Sequence, residues 1–278
     1  MSRNSPIKDV LAIVDGDPAS FAGVDQAIAY ATLHEASLTI VVATENVSFA
    51  AAVEPYGYAI ALKATEELNT AHLDGVRARV KGAAIPVEVH GLLETPDLLP
   101  RAAKGEGRYA DIVLIPAPER WRDHALRRHI AESILFAGVP VLLAPADWTP
   151  TLINHAVLGW NASLEAFRAG RAVLALAEPK AHVDVVVIDG IAGDKTSQTV
   201  PGTHIARHLG RHRHQVEVHA INSAKQGTAG ALQAFAASRD ADLLIVGGYG
   251  HSRAMEFVLG GVTRELLARP RVPIVLVH

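Results

Sequence analysis

The chain has 278 residues, a formal net charge of −3 and no cysteine. The lack of cysteine excludes disulfides and thiolate metal sites and fits a reducing compartment, and the small negative charge argues against nucleic acid as a partner. The first ten residues lack the apolar segment of a signal peptide, and no apolar run reaches the roughly 18 residues that a membrane span needs. We therefore expect a cytoplasmic protein with no membrane partner, long enough for two domains of ordinary size.

The first half alternates between apolar strands and helical segments. Strands are predicted, in chain order, at 10–15, 37–44, 86–91, 110–115 and 139–143, with an Ala-rich helix at about 20–35 after the first of them. Because these strands carry little polar alternation, helices should cover both faces of a parallel sheet. This half is predicted to be a doubly wound α/β domain.

The second half repeats that order. Its strands are predicted at 156–161, 183–188, 215–221, 241–246 and 272–276, with a helix at about 164–177 after the first. A repeat of this length indicates two copies of one domain rather than a solenoid. The segment 145–150 holds two prolines and no periodicity, as is typical of a linker. The predicted domains are 1–146 and 147–278.

Two glycine clusters follow the strand at 241–246. Gly247, Gly250 and Gly260 form the string G-x2-G-x9-G, and a helical segment comes next. Glycine at a strand exit lets backbone N–H groups approach a phosphate, and the N-terminus of a helix favours an anion. Neither the Walker string nor the dinucleotide string G-x-G-x-x-G occurs. The pattern therefore predicts a phosphate cradle of a different kind.

This string, and its place before the last helix and strand, resembles the universal stress protein family. The resemblance covers nearly the whole chain. It implies a five-stranded sheet of order 3-2-1-4-5 in each half, the adenine nucleotide α-hydrolase-like fold, and ATP or another adenine nucleotide bound in the second domain. The nucleotide-binding residues that it implies are Gly159, Trp160, Asn161, Val187, Val246, Gly247, Gly250, Gly260, Gly261, Val262 and Thr263.

The chain departs from the family pattern at two of these positions. Gly261 stands where nucleotide-binding members have Ser or Thr, although its backbone amide remains and Thr263 is close by. Asn161 stands where such members usually have an acidic residue near adenine and ribose, and an amide can still donate and accept hydrogen bonds. Val187 matches an apolar position that packs against the base. The expectation is that the second-domain site is retained.

The first half differs more strongly. It keeps Asp15 at the exit of its first strand, but the exit of its fourth strand reads Pro116-Ala117-Pro118-Glu119, without the glycines. Proline removes an amide donor, and a glutamate beside phosphate would repel it. Residues 127–129, Arg-Arg-His, stand where the second glycine cluster should be, and we expect them on the surface. One nucleotide site per chain is therefore predicted, with the first domain degenerate.

The remaining polar residues point to no catalytic centre. No G-x-S-x-G elbow, H-E-x-x-H string or Ser-Gly-Gly loop occurs, so at most slow ATP hydrolysis or autophosphorylation is expected, with Asp189 as a candidate Mg²⁺ ligand. Among the 14 histidines, His204, His208 and His212 share one face of a predicted helix. The arginines around them favour a solvated basic face over a metal site, so no metal site is predicted.

The two final strands, 139–144 and 272–277, are apolar and lie at predicted sheet edges. An unprotected apolar edge is an aggregation hazard, so we expect these edges to pair, either within the chain or in a homodimer. The resulting hypothesis is a stress-response protein that binds an adenine nucleotide as a regulatory ligand. The alternative is a nucleotide-independent scaffold of paired domains that recruits an unknown protein partner under stress.

Overall fold

The computed structural model of the protein describes residues 6–48, 55–190, 201–249 and 261–278. Within them the chain divides into two compact units, residues 1–150 and 151–278, so the contacts change four residues after the sequence-based boundary at 146. No helix in the described part of the chain is long and apolar enough to cross a bilayer.

The first unit is an α/β sandwich around five parallel strands. Its strands are β1 (Asp9–Val14), β2 (Ser37–Glu45), β3 (Val87–Glu94), β4 (Ile112–Pro116) and β5 (Val141–Ala144). Its described helices are α1 (Phe21–His34), α2 (Pro55–Val80), α3 (Leu99–Glu106) and α4 (His124–Leu135). The strand order is β3-β2-β1-β4-β5, and every neighbouring pair is parallel.

The second unit has the same architecture. Its strands are β6 (Ile153–Gly159), β7 (Ala177–Ile188), β8 (Gln215–Ile221), β9 (Leu243–Gly247) and β10 (Ile274–Val277). Its described helices are α5 (Leu164–Leu176), α6 (Thr203–Arg211), α7 (Gly227–Ser238) and α8 (Gly261–Ala268). The order β8-β7-β6-β9-β10 reads 3-2-1-4-5 in the numbering of the unit. The doubly wound α/β fold is thereby confirmed.

Helices lie on both faces of the second sheet, which explains why its strands are continuously apolar. A Cβ on Gly202, at the start of α6, would lie 3.6 Å from the Val187 Cγ2 and 3.3 Å from the Val185 Cγ1. A Cβ on Gly159 would lie 3.3 Å from the Leu232 Cδ1 of α7 on the other face. With both faces covered, valine, leucine and isoleucine fill the strands.

Each unit ties the start of its first strand to its fourth strand by an aspartate. In the first unit, Asp111 Oδ2 accepts the N–H groups of Lys8 (2.7 Å) and Asp9 (3.0 Å). In the second, Asp242 Oδ2 accepts those of Asn154 (2.8 Å) and His155 (2.9 Å). These bonds satisfy backbone donors at the ends of both ladders. They fix the register of β1 on β4 and of β6 on β9.

One strand departs from the expected pattern. β7 begins at Ala177, directly after α5, rather than near 183, and its pairing with β6 shifts between Ile153 and His155. Lys180 has a positive φ of 70° in the intervening segment. After the irregularity the ladder resumes with His182 opposite His155. Such bulges re-aim side chains along one edge of a pair.

Candidate functional site

The exits of β6 and β9 lie side by side in the second unit. Gly159 is paired with Val246 on one side and with Val186 on the other, and the Trp160 N–H donates to the Val186 carbonyl at 2.8 Å. β6 and β9 flank the point where strand order reverses, and ligands of doubly wound sheets bind outside the carboxyl ends of the strands at that point. The structure therefore brings the predicted residues of β6 and β9 to one edge.

Trp160 and Asn161 form the turn after β6. The Trp160 ring is buried and packs edge to face on Phe167, with the ring centroids 4.9 Å apart. Asn161 is exposed, and its Oδ1 accepts the Ser163 N–H at 3.1 Å. Ser163 in turn caps α5 through the Ala166 N–H, at 3.1 Å. The oxygen of Asn161 is thus engaged in the turn, and its Nδ2 amide is the group that would face a base.

Gly247 is required by packing. A Cβ at this position would lie 2.5 Å from the carbonyl carbon of Glu165 and 2.7 Å from the Ala166 nitrogen. Both contacts are to backbone in the first turn of α5, which cannot move aside as a flexible side chain could. The glycine at the end of β9 therefore lets α5 approach the sheet, a reason that holds with or without a ligand.

The N-terminus of α8 is tied to the residues that follow β9. The Tyr249 N–H donates to Thr263 Oγ1 at 3.2 Å, and the Gly248 N–H donates to the Val277 carbonyl at 2.8 Å. Thr263 is buried, whereas Gly261 is exposed and a Cβ added there would meet open space. The N–H groups of the first turn of α8 are therefore held next to the exit of β9. Two further predicted residues, Gly250 and Gly260, lie outside the described residues.

Val187 and Asp189 stand at the end of β7. Val187 is 1% exposed and lies beneath Gly202, so it is a core residue in this structure. Asp189 accepts hydrogen bonds from the N–H (2.9 Å) and the Oγ (2.5 Å) of Ser223, and these bonds lower the pKa of its carboxyl. Both carboxylate oxygens are engaged, so Asp189 does not offer Mg²⁺ a ready ligand.

The first unit has a cavity of about 410 Å³ at the carboxyl end of its strands. Its lining includes Asp15, Glu45 and Asp123 as well as His72 and Arg122. Burial raises the pKa of the Asp15 carboxyl, and burial together with the charges of Asp123 and Asp15 raises that of Glu45. Burial also lowers the pKa of His72. A cavity that holds three carboxyl groups disfavours a phosphate.

The expectation that Arg127 lies on the surface was wrong. Its side chain is 1% exposed, and its Nε–H donates to the Pro116 carbonyl at 2.6 Å, across the end of β4. Arg127 also begins the second turn of α4, the helix that corresponds to α8. The guanidinium therefore satisfies a carbonyl at the strand exit, in the region where the second unit has its glycine-rich segment.

The histidines that the structure groups together are not those on α6. His208 and His212 stack with ring centroids 5.0 Å apart. Within the described residues, however, the groups with metal-ligand spacing are His155, His182 and Asp184, and Asp184, Glu217 and His219. Sequence reasoning missed His155 and His182. Their signal was a histidine on the same face of each of two adjacent strands, which becomes visible only once the register is known.

The family model described as the universal stress protein family matches residues 155–278. Among solved structures, a universal stress protein from Archaeoglobus fulgidus DSM 4304 is 16% identical, with a TM-score of 0.63 over 97% of this chain and 95% of that one. A putative universal stress protein from Pseudomonas aeruginosa UCBPP-PA14 is 12% identical, with a TM-score of 0.56 over 98% and 93%. At these identities the two structures show a shared fold. No curated protein matches the sequence.

Proposed function

Residues 155–278 belong to the universal stress protein family, and on that premise we propose that the second unit binds ATP or a related adenine nucleotide as a regulatory ligand. The phosphates would lie against the backbone amides at the exit of β9 and at the start of α8. The base and ribose would lie beside the turn of Trp160 and Asn161. The role proposed for the whole protein is in a stress response.

The observation that carries the proposal is the hydrogen bond from the Tyr249 N–H to Thr263 Oγ1. It joins a strand exit at the topological switch point to the N-terminus of a helix 14 positions later. An anion placed there would meet the positive end of the α8 dipole and the N–H groups of its first turn. The open space at Gly261 leaves room for a phosphate beside these groups.

The nucleotide is proposed to act through stability and conformation rather than turnover. A ligand that binds only the folded state raises the free energy of unfolding by RT ln(1 + [L]/Kd), about 2.7 kcal/mol at a hundredfold excess over Kd. This is a large share of a typical folding free energy of about 5–15 kcal/mol. Occupancy of the site could thus change how much of the second unit is folded and able to contact a partner.

A second candidate function is a scaffold that recruits a protein partner without nucleotide. The packing of Gly247 against the backbone of α5 favours it, because that glycine is needed even in a protein that binds no phosphate. The replacement of the family hydroxyl by Gly261 and the engagement of the Asn161 oxygen in its own turn point the same way. The two functions differ in whether blocking the N-terminus of α8 has a consequence.

The test is a thermal shift titration with ATP, ADP, AMP and cyclic AMP, on wild type and on Gly261→Glu. Glutamate at the exposed first position of α8 places a negative charge where a phosphate would lie, while the helix dipole tolerates it. We expect a saturable rise in Tm for wild type with at least one nucleotide and none for Gly261→Glu. Gly261→Ala is the matched control and should retain the rise.

A gain-of-function variant sharpens the test. Gly261→Ser restores the hydroxyl of the family pattern at a position with room for it, and a hydrogen bond to a charged group contributes about 1.5–3 kcal/mol. We expect nucleotide affinity to rise by roughly tenfold or more. No shift at millimolar nucleotide in wild type or Gly261→Ser would leave the scaffold as the better account.

A further inference from the structure

We propose that the second unit binds one Zn²⁺ ion through His155, His182 and Asp184, at a site separate from the nucleotide site and built on the middle of the sheet. The side chains belong to adjacent strands. His155 of β6 is paired with His182 of β7, and Asp184 follows two positions later on the same face of β7. The bulge around Lys180 is what sets His182 opposite His155.

The donor atoms converge. His155 Nε2 lies 2.9 Å from Asp184 Oδ2, and His182 Nε2 lies 3.1 Å from Asp184 Oδ1. The three ligand atoms all lie within 4.8 Å of one another, and the two imidazole rings meet edge to face at 79°. Tetrahedral zinc with bonds of about 2.0–2.1 Å separates its ligand atoms by roughly 3.3 Å. The observed separations need to open by only a few tenths of an ångström to admit the ion.

Burial gives the site both a strong ligand and an entrance. The Asp184 side chain is 0% exposed, whereas those of His155 and His182 are 23% and 30% exposed. A buried carboxylate is costly unless a positive charge compensates it. A divalent cation would supply that charge, and the two partly exposed rings leave solvent access for a water as fourth ligand. Two imidazoles and a carboxylate form a donor set suited to zinc.

Two further groups hold Asp184 in place. His219 Nε2 lies 2.7 Å from Oδ1, and Arg239 Nε lies 3.6 Å from Oδ2. Arg239 is also drawn away from the carboxylate, since it lies 3.5 Å from Glu217 and over the Phe235 ring at 5.6 Å. His219 would therefore orient the carboxylate from outside the coordination sphere, as the neighbours of metal ligands commonly do.

The two imidazoles can bind the ion without losing a proton overall. In the metal-free protein a neutral ring that donates to Asp184 carries its proton on Nε2. Zinc would take the Nε2 lone pair while the proton resides on Nδ1, the other tautomer of the same neutral ring. His155 lies four positions before Gly159 on β6, roughly 13 Å along the strand, so this site and the nucleotide site are distinct.

The test is equilibrium dialysis of the full chain with Zn²⁺, after chelator treatment and without a polyhistidine tag, with metal quantified by mass spectrometry. We expect one Zn²⁺ per chain at micromolar metal, and absorption bands of tetrahedral geometry when Co²⁺ replaces it. His182→Ala should abolish the stoichiometric binding. His219→Ala should weaken it about 10–100-fold, as for a residue that orients a ligand.

His208→Ala is the matched control, because it removes a histidine from α6 and leaves the cluster intact. Binding that survives His182→Ala but is lost in His208→Ala would overturn the proposal in favour of a site on α6. Equal loss in both variants, or no stoichiometric binding to wild type, would also overturn it. His155→Gln serves if His182→Ala fails to fold, and the Co²⁺ spectrum of wild type needs no variant.

Discussion

The carboxyl group of Asp15 lies at the end of β1, 8% exposed, where it accepts the N–H groups of Asp17 at 3.2 Å and Arg122 at 2.8 Å. Burial raises its pKa, and these two hydrogen bonds offset only part of the rise. A carboxyl whose pKa is higher in the folded state than in the unfolded chain favours folding when it is protonated. Its contribution to stability is therefore present at acid pH and is lost as the pH rises through the folded-state pKa.

Asp15→Asn should remove this pH dependence. Because asparagine does not titrate, we expect the free energy of unfolding of the variant to improve relative to wild type as the pH rises from about 4 towards 7. Urea unfolding at a series of pH values measures the difference. Asp97→Asn, at an exposed position, controls for the loss of one negative charge. A difference that stays constant or moves the other way would contradict the raised pKa.

Single residues also show where sequence reasoning stops. Glycine at 247 and the residue types at 261–263 could be recognised as a string, but the string does not say why each is needed. The structure assigns Gly247 to the approach of α5, and Thr263 to a hydrogen bond from the Tyr249 amide. Arg127 was placed on the surface because charge alone was visible. Its bond to the Pro116 carbonyl depends on a helix and a strand end meeting in space.

At the scale of elements, the contact between β9 and α5 can be tested directly. Gly247→Ala would place a methyl group 2.5 Å from the Glu165 carbonyl carbon, so α5 has to shift. Overpacking of this kind typically costs about 1–3 kcal/mol. Gly261→Ala, where the added methyl meets open space, should change stability by less than about 0.5 kcal/mol. Chemical denaturation of the two variants beside wild type makes the comparison.

Equal stability of both alanine variants would show that α5 can retreat from β9 at little cost. The steric reason for Gly247 would then fail, and closeness to a phosphate would remain as its explanation. The pair of variants thus separates packing from binding at one position. Nucleotide titration of Gly247→Ala is informative only after its stability has been measured, because a displaced α5 would also move the turn of Asn161 and Ser163.

Element type was predictable to a large extent, since continuous apolar runs separated by amphipathic or Ala-rich segments fix a parallel sheet with covered faces. The extent of β7 was not. Residues 177–181 contain Pro179 and Lys180 and show no strand pattern, yet they pair with β6 through an irregularity. That irregularity sets the register of His155 on His182. A cluster that depends on a bulge cannot be recognised from spacing along the chain.

At the scale of the molecule, the two units share a strand order and an aspartate that ties the first strand to the fourth, but differ at the carboxyl ends of their sheets. The first has Asp15, Glu45 and Asp123 around a cavity, together with a strand exit that holds two prolines. The second has backbone amides at a strand exit and at a helix N-terminus. Phosphate is repelled by carboxylates and attracted by such amides.

This asymmetry predicts one nucleotide per chain. Isothermal titration calorimetry should give a stoichiometry of one, and hydrogen exchange with and without nucleotide should show added protection within 151–278 and none within 1–150. The reason is linkage, because a ligand stabilises only the cooperative unit whose folded state it binds, and two compact units can open separately. A stoichiometry of two, with protection around β1 and β4, would mean that the cavity beside Asp15 accepts nucleotide despite its carboxyl groups. Asp15→Asn would then strengthen the extra binding, since it removes one of the repelling charges.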